Sequence, residues 1–301
     1  MTARPAPDAG REASWPRHRM RREREIAIVR RVVGGWKRLG HRVAFVPTMG
    51  AIHEGHLGLV RRARASAERV VASIFVNPLQ FGPQEDYKRY PRPRARDHAL
   101  LAGAGVDLLW EPRAQDLYPP GECTRVRVTG LGDVLEGGSR PGHFEGVATV
   151  VLKLLHVVEP HLLWMGQKDA QQARLVEQMC RDLHLPVTVR RGATVREPGG
   201  LACSSRNLYL DLAQRAQAVG LSRGLASALR ALRDGERSAA RIIGVVRQVW
   251  REYPDLVPDY VSVVDAHTFQ PVRRVQSRVL VAVAARVGKT RLIDNFEWGP
   301  P

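Results

Sequence analysis

The sequence of 301 residues has few cysteines, few lysines and no long apolar run. Its three cysteines, Cys123, Cys180 and Cys203, have no paired spacing, which excludes a disulfide framework and favours a reducing, cytoplasmic setting. No stretch of about 18 apolar residues occurs, so the sequence predicts no membrane span. The N-terminus is basic but lacks a following apolar segment, which argues against a secretory signal and leaves an Arg-rich transit peptide open.

The positive charge comes almost entirely from arginine. The net charge is +17, while lysine occurs only at positions 37, 88, 153, 168 and 289. Such a charge raises the possibility of nucleic-acid binding. The arginines are dispersed, however, and apart from residues 17–31 no basic stripe with interleaved aromatics is present. An anionic small substrate accounts for the basicity equally well, and we expect no nucleic-acid partner.

The chain begins with residues 1–24, which are rich in Pro and Arg and lack periodicity, so we predict a disordered basic leader. Short apolar runs then alternate with helical patterns, which is typical of βαβ units and a parallel sheet. The predicted helices are 26–39, 57–67, 94–105, 146–158 and 170–183, and the predicted strands are 41–47, 69–76, 106–112 and 161–166. Right-handed crossovers favour a Rossmann-like, doubly wound sheet.

The pattern changes after about residue 195. Two helical segments, 212–232 and 238–252, precede three strand-like runs, "DYVSVVDA", "RVLVAVAARVG" and "TRLIDNFEW". This order predicts a smaller C-terminal α+β domain with an antiparallel sheet. We therefore divide the chain into a nucleotide-binding domain, residues 25–194, and a C-terminal lid domain, residues 195–301.

Two histidines, His53 and His56, lie in the Gly-containing stretch "VPTMGAIHEGHLGLV", where a predicted strand gives way to a helix. The helical zinc motif H-E-x-x-H needs one more residue between the histidines, and this pair supplies too few ligands. The N–H groups and dipole of a helix N-terminus instead attract an anion such as phosphate. Two imidazoles there can stabilise charge on a transferring phosphoryl oxygen. A plain turn with surface histidines stays an alternative.

A second Gly-containing motif, "VGKT" at 287–290, ends like a Walker A loop. The glycine that a Walker A loop requires five residues before its second glycine is Val283 here, and the motif lies between two predicted strands. We interpret it as a hairpin turn.

Five segments together resemble the pantothenate synthetase (pantoate–β-alanine ligase) family of HxGH nucleotidyltransferases. They are "PTMGAIHEGH" (47–56), "SIFVNPLQFGPQEDYKRYPR" (73–92), "RPGHFEGVATVVLKLL" (140–155), "MGQKDAQQ" (165–172) and "TVREPGGLACSSRNLYL" (194–210). The resemblance implies a cytoplasmic, homodimeric ligase. It would condense pantoate with β-alanine through pantoyl adenylate, using ATP and magnesium and releasing AMP and pyrophosphate.

The resemblance also assigns roles to residues of this chain. It implies that the catalytic residues are His53, His56, Lys168, Ser204, Ser205 and Arg206. It implies an ATP site made of Met49, Gly50, Ala51, Ile52, His53, Glu54, Gly55, His56, Gly166, Gln167, Lys168, Asp169, Val195, Cys203, Ser204, Ser205 and Arg206. Pantoate and β-alanine would be held by Gln80 and Gln172, whose amides both donate and accept hydrogen bonds. Asn77 and Tyr90 are further candidates.

The sequence departs from the family pattern at three places. Gln167 replaces the usual glutamate beside Lys168, and Cys203 replaces the usual methionine before the paired serines. The acidic residues that the family links to magnesium after "YPR" are reduced to Asp97, among three arginines. We therefore expect magnesium to enter with ATP, held by the phosphates, with Asp97 as the one candidate ligand from the protein.

Two other functions remain open at this stage. A different HxGH transferase would move AMP to another acceptor, but the paired glutamines and "FVNPLQF" argue against it. An RNA-binding protein would use the arginine surface, and it would bind oligonucleotides in a salt-sensitive manner that does not depend on His56.

Overall fold

The computed structural model describes residues 20–83 and 85–299. The strands in these ranges are β1 (Arg21–Glu23), β2 (Val43–Thr48), β3 (Arg69–Ile74), β4 (Leu108–Trp110), β5 (Leu162–Gly166), β6 (Thr188–Gly192), β7 (Leu256–Asp265), β8 (Val279–Val287) and β9 (Thr290–Trp298). The helices are α1 (Ile26–Arg38), α2 (Glu54–Ser66), α3 (Arg94–Gly103), α4 (Ala114–Leu117), α5 (Glu136–Ser139), α6 (His143–Val158), α7 (Ala170–Asp182), α8 (Leu212–Arg233) and α9 (Ala239–Trp250).

The first six strands form one parallel sheet in the order β1-β4-β3-β2-β5-β6. Helices cover both faces of the sheet, which is why the central strands are continuously apolar rather than alternating. Phe45 and Trp110 pack on one face with α1 and α6, while Val46 and Leu109 pack on the other face with α2 and α3. The predicted Rossmann-like fold is confirmed.

The strand order of this sheet reverses between β2 and β5. In a doubly wound sheet, the crevice at such a reversal lies at the carboxyl ends of the two strands and is the usual ligand site. The segment after β2 begins at Met49, and the segment after β5 begins at Gln167. The topology therefore brings the histidine loop and the predicted phosphate lysine to one edge.

The C-terminal elements form a second layer in which α8 and α9 pack on the antiparallel sheet β7-β8-β9. The predicted α+β arrangement of this part is confirmed. Gly288 and Lys289 of the "VGKT" motif form the two-residue connection between β8 and β9, and Gly288 has a φ of +56°. Two-residue hairpins favour such positive φ values, so the motif is a turn, as predicted.

Two strands of the parallel sheet were not predicted. The leader prediction is wrong for Arg21–Glu23, because β1 pairs in parallel with β4 at the sheet edge. β6 pairs in parallel with β5. Both strands are short and polar, and pairing of their backbone with a neighbouring strand needs no apolar pattern. Residues 1–19 of the predicted leader lie outside the described residues, and the domain boundary at residue 195 stays a prediction.

In the described ranges, no helix combines the length and apolar character needed to cross a membrane. The three cysteines are free thiols there, with Cys123 exposed and Cys180 and Cys203 buried.

Candidate active site

A cavity of about 1170 Å³ lies between the carboxyl edge of the parallel sheet and the C-terminal layer. Its walls come from the segments after β2, β3 and β5, from α6, and from β8 and β9. Most of the residues that the sequence assigned to a site line this cavity. They are Met49, His53, Gly55, His56, Gln80, Gly166, Lys168, Asp169, Gln172, Val195, Cys203, Ser204, Ser205 and Arg206, together with Asn77 and Tyr90.

The loop after β2 is held in an unusual backbone conformation. Gly50 has a φ of +84° and Ala51 a φ of +49°, and the latter is uncommon for a residue with a side chain. Asp97 of α3 stabilises this conformation, because its two carboxylate oxygens accept the backbone N–H groups of Ala51 and Ile52, each at 2.8 Å. Asp97 is almost completely buried, and burial raises the pKa of its carboxyl. Asp97 therefore has a structural role in this loop, and its role as a magnesium ligand stays a prediction.

Replacing Asp97 is expected to reduce stability. Asp97→Ala leaves two buried N–H groups without an acceptor, which costs about 2–5 kcal/mol of the free energy of unfolding. Asp97→Asn keeps one acceptor oxygen, so we expect a smaller loss. Urea denaturation of both variants measures the difference. Wild-type stability in Asp97→Ala, together with a changed magnesium requirement, would support the magnesium role instead.

His53 and His56 stack on each other at the start of α2. Their ring centroids are 3.9 Å apart, and His53 is the N-cap residue, with Nδ1 accepting the Gly55 N–H at 3.1 Å. A Cβ on Gly55 would lie 2.8 Å from the His53 ring, so any larger residue would displace the imidazole. Because Nδ1 of His53 is an acceptor, the neutral ring carries its proton on Nε2.

Both imidazoles are neutral at physiological pH. Burial, followed by the positive charges of Lys168 and Arg96, lowers the pKa of His53 to about 4. Burial and the adjacent His53 lower the pKa of His56 well below its ordinary value. The Nδ1 atom of His56 is buried, and no hydrogen-bond partner for it lies in the described part of the chain. An unpaired buried nitrogen at a helix N-terminus is suited to a ligand that supplies the missing partner.

The lowered pKa of His53 predicts a pH-dependent loss of stability. The unfolded chain takes up the proton below about pH 6.5, whereas the folded chain does so only near pH 4. Stability therefore falls as the pH drops between these values and is unaffected above them. At pH 4.5 the His53 contribution amounts to about 2–3 kcal/mol.

The variant His53→Asn tests this prediction, because asparagine keeps the N-cap acceptor and does not titrate. The difference in free energy of unfolding between pH 7 and pH 4.5, from urea titrations, should be smaller in the variant by about 2–3 kcal/mol. Equal pH dependence in both proteins would contradict the assignment.

Lys168 lies in the turn Gln167–Asp169, directly after β5. Its ammonium is 3.3 Å from the Asp169 carboxylate. Burial alone would raise the pKa of Asp169, but Lys168 lowers it below its usual range. Lys168 is thus a cation within the same cavity as the two neutral histidines, where it can neutralise phosphate charge.

Gln80 also lines the cavity, and its side chain makes hydrogen bonds with Asn77 and Met49. Asn77 donates to Gln80 Oε1 at 3.2 Å and to the Gly146 carbonyl at 3.0 Å, while Tyr118 donates to Asn77 Oδ1 at 2.7 Å. Gln80 Nε2 donates one hydrogen bond to Met49 Sδ at 2.8 Å, which leaves the second N–H of its amide for a substrate. Asn77 is therefore a support for Gln80 rather than an isolated polar residue.

The segment "CSSRN" packs against the histidine loop, and residues Ser205–Tyr209 form a 3-10 helix. Ser204 caps this helix by accepting the Arg206 N–H. Ser205 donates to the Ala51 carbonyl at 3.1 Å. The Arg206 guanidinium forms a two-bond ion pair with Asp86, at 3.0 and 2.9 Å, so part of its donor set is already occupied.

Five residues assigned to the ATP site are not among the described residues that line the cavity: Gly50, Ala51, Ile52, Glu54 and Gln167. Glu54 forms an exposed ion pair with Arg61. The Gln167 side chain is directed to β9, where it donates to Glu297 at 3.1 Å. Gly50 and Ala51 still shape the loop, as described above.

Residues 22–297 match the sequence model of the pantoate-beta-alanine ligase family. The chain belongs to this family. The pantothenate synthetase of Moorella thermoacetica is 48% identical over 270 residues, which cover 90% of this chain and 95% of the relative. That of Thermotoga neapolitana is 51% identical over 257 residues, covering 85% and 92%. The predicted family, and with it the prediction of an enzyme of the ligase class, is confirmed.

Solved structures of the family have the same fold. The Thermus thermophilus pantothenate synthetase is 45% identical, with a TM-score of 0.89 and coverage of 93% of this chain and 100% of the other. The pantoate-beta-alanine ligase of Francisella tularensis, crystallised with beta-gamma ATP and beta-alanine, is 33% identical, with a TM-score of 0.76 and coverage of 92% and 97%.

Several charged residues of the ligase site were not assigned from the sequence. Arg140 forms a two-bond ion pair with Glu85, at 2.7 and 2.6 Å, and donates to the ring of His143. His143 in turn donates to the Gln80 carbonyl at 2.8 Å. Arg140 and His143 stand in the segment "RPGHFEGVATVVLKLL", which carried part of the resemblance, so that segment contained the available signal.

Magnesium usually binds through one or two carboxylates together with substrate phosphates rather than through a cage of protein ligands. Within residues 20–83 and 85–299, no three His, Cys, Asp or Glu side chains lie close enough together to hold a metal ion. Both oxygens of Asp97 are committed to backbone N–H groups. We therefore expect magnesium to enter the cavity with ATP, held by the phosphates.

Proposed function

We propose that this ligase condenses pantoate with β-alanine in two steps, with MgATP as the activating substrate. The observation that carries the proposal is that one cavity is lined by an anion site, made of His53, His56 and Lys168, and by two amides, Gln80 and Gln172. The relative from Francisella tularensis, with its beta-gamma ATP and beta-alanine, supports ATP and β-alanine as substrates here.

In the first step, a carboxylate oxygen of pantoate attacks the α-phosphorus of ATP. The bond between the α-phosphorus and its bridging oxygen to the β-phosphate breaks, and pyrophosphate leaves. The product is pantoyl adenylate, whose acyl carbon is reactive because AMP is a good leaving group. The protein contributes positioning and charge neutralisation, as in other phosphoryl-transfer reactions.

The anion site supplies that neutralisation. Lys168 brings a full positive charge, and neutral His56 and His53 bring N–H donors that need no reorganisation as charge develops. The first N–H groups of α2 add to the same field. Arg206 and Ser204 also line the cavity, and we expect them to contribute donors to the phosphates.

In the second step, the amine of β-alanine attacks the acyl carbon, the bond from carbon to the AMP oxygen breaks, and AMP leaves with the new amide formed. The proton lost by the amine passes to the phosphate of AMP or to water. Gln80 Nε2 is a donor suited to a substrate carboxylate or hydroxyl, and Gln172 lines the same cavity. Enclosure by the C-terminal layer protects the adenylate from hydrolysis.

We further propose that the ligase works as a homodimer, because an isologous pair is the commonest assembly of soluble enzymes. Size-exclusion chromatography with light scattering checks this: a single monomer-sized species would contradict it.

The decisive experiment measures pyrophosphate release from MgATP by the wild-type chain. Release should require pantoate, AMP should turn over once β-alanine is added, and pantothenate should accumulate in equal amount. Pantoate-dependent release without onward turnover would contradict the second step. Release that is independent of pantoate, or absent from folded protein, would contradict the proposed function.

A further inference from the structure

Strand β9 of the C-terminal layer places polar side chains against the turn that carries Lys168. Asn295 donates from Nδ2 to the Lys168 carbonyl at 2.7 Å. Its own backbone N–H donates to Asp294 at 2.8 Å, and Asp294 is paired with Arg196 at 2.6 and 3.1 Å. Asn295 and Asp294 are only 6% and 3% exposed. The contact to Lys168 is half-buried, and its β9 end is buried and held by Asp294 and Arg196.

A second contact joins the same turn to Glu297. Gln167 donates to Glu297 Oε1 at 3.1 Å, and Arg191 of β6 donates to the same oxygen at 2.8 Å. Arg191 is itself held by two bonds to Glu177, at 2.8 and 2.6 Å. Glu297 therefore connects the residue before Lys168 to the last strand of the parallel sheet.

The hydrogen bonds from Asn295 and to Glu297 hold a turn that has no capping hydrogen bond of its own. Asp169 is the N-cap of α7, yet its side chain makes no capping hydrogen bond. The Asp169 carboxylate lies instead beside the Lys168 ammonium. A lysine side chain is flexible, so the reach of its ammonium depends on where the backbone of the turn is held.

We propose that Asn295 and Glu297 are positioning residues for Lys168, so that the C-terminal layer sets the place of the phosphate-binding cation in the other layer. This inference rests on the proposed function. It also explains the departure at Gln167. A glutamate there would face the Glu297 carboxylate at hydrogen-bond distance with one shared arginine, whereas the Gln167 amide donates to that carboxylate.

The first test is Asn295→Asp, which keeps the side-chain size and removes the Nδ2 donor. A carboxylate oxygen would then face the Lys168 carbonyl oxygen, and the turn would move. We expect kcat for pantoate-dependent pyrophosphate release to fall about 10- to 100-fold, since misplacement of a catalytic group by about 1 Å has such an effect. The KM for pantoate should not change, because Lys168 acts on phosphate.

The matched control is Trp250→Phe, which removes another side-chain bond to a buried carbonyl of the C-terminal layer, that of Gly220 at 2.9 Å. Trp250 does not line the cavity described above. We expect a lower melting temperature and an unchanged kcat. If both variants lose kcat in proportion to lost stability, Asn295 has a purely structural role and the inference is overturned.

The second test exchanges the amide and the carboxylate of the contact between Gln167 and Glu297. Gln167→Glu alone should lower kcat, because its carboxylate would face that of Glu297, and Arg191 is already shared between Glu297 and Glu177. Adding Glu297→Gln restores an amide–carboxylate pair with the direction of the hydrogen bond reversed, so the double variant should recover most of the lost kcat. Failure of the double variant to recover overturns the role of Glu297.

The outcomes separate the inference from the proposed function. A wild-type chain without pantoate-dependent pyrophosphate release overturns both. An active wild-type chain whose Asn295→Asp variant keeps its kcat overturns only the positioning role.

Discussion

His56→Ala is expected to lower pantoate-dependent pyrophosphate release about 100- to 1000-fold, the usual effect of removing one donor that stabilises a developing oxyanion. His56 stands in the first turn of α2, stacked on His53, with a buried nitrogen that lacks a partner in the described residues. Its lowered pKa keeps the ring neutral, so the loss is that of a hydrogen-bond donor rather than of a charge. Single-turnover measurement of pyrophosphate isolates this step.

The control is His156→Ala, at the exposed C-terminal end of α6. This variant should keep wild-type rates. Because His56 acts on the phosphates, the KM for β-alanine should stay unchanged in His56→Ala. A variant that keeps its adenylation rate would contradict the assigned role of the histidine pair.

Gly146→Ala should lower stability and weaken pantoate binding, because Gly146 packs against the backbone of Leu79 and Gln80. A Cβ at this position of α6 would lie 2.3 Å from the Leu79 carbonyl oxygen and 2.7 Å from the Gln80 nitrogen. These atoms are backbone, so the helix or the loop must move. We expect a loss of about 1–3 kcal/mol in stability and a rise of about tenfold or more in the KM for pantoate, because Gln80 is displaced.

Gly103→Ala provides the matched control, since a Cβ there meets no atom within 4 Å in helix α3. Alanine should be neutral or slightly stabilising at that site, because it favours helix more than glycine does. Steady-state kinetics with pantoate varied, together with urea denaturation, measures both variants. A Gly146→Ala protein with wild-type KM and stability would show that the close contact is not required.

The elements of the fold that the sequence predicted are those with a strong apolar period. Close to their predicted ranges lie the helices α1, α2, α3, α6, α7, α8 and α9 and the strands β2, β3, β4 and β5, because each buries apolar side chains. β1 and β6 were not predicted, because both strands are short and polar and form by pairing with a neighbouring strand. Their stability lies in backbone bonds that no side-chain pattern reveals.

For the candidate site, the sequence identified the residues but not their hydrogen-bond partners. The sequence supplied the residues themselves, because the motifs around His53, Gln80, Lys168 and Ser204 are local and distinctive. It did not supply their partners. Asp97 resembled a remnant of a metal site, yet its oxygens hold the backbone of a loop 45 and 46 positions away in the chain.

The sequence by itself therefore determined the family, the alternation of strands and helices, and the residue types that can bind phosphate and a carboxylate. Only the tertiary structure decided which groups stay available for substrate. Asp86 takes two donors of Arg206 across 120 positions, and Asn295 takes the carbonyl of Lys168 across 127. The physical reason is that hydrogen-bond partners and lowered pKa values depend on burial and distance in space, which arise only when the two layers pack together.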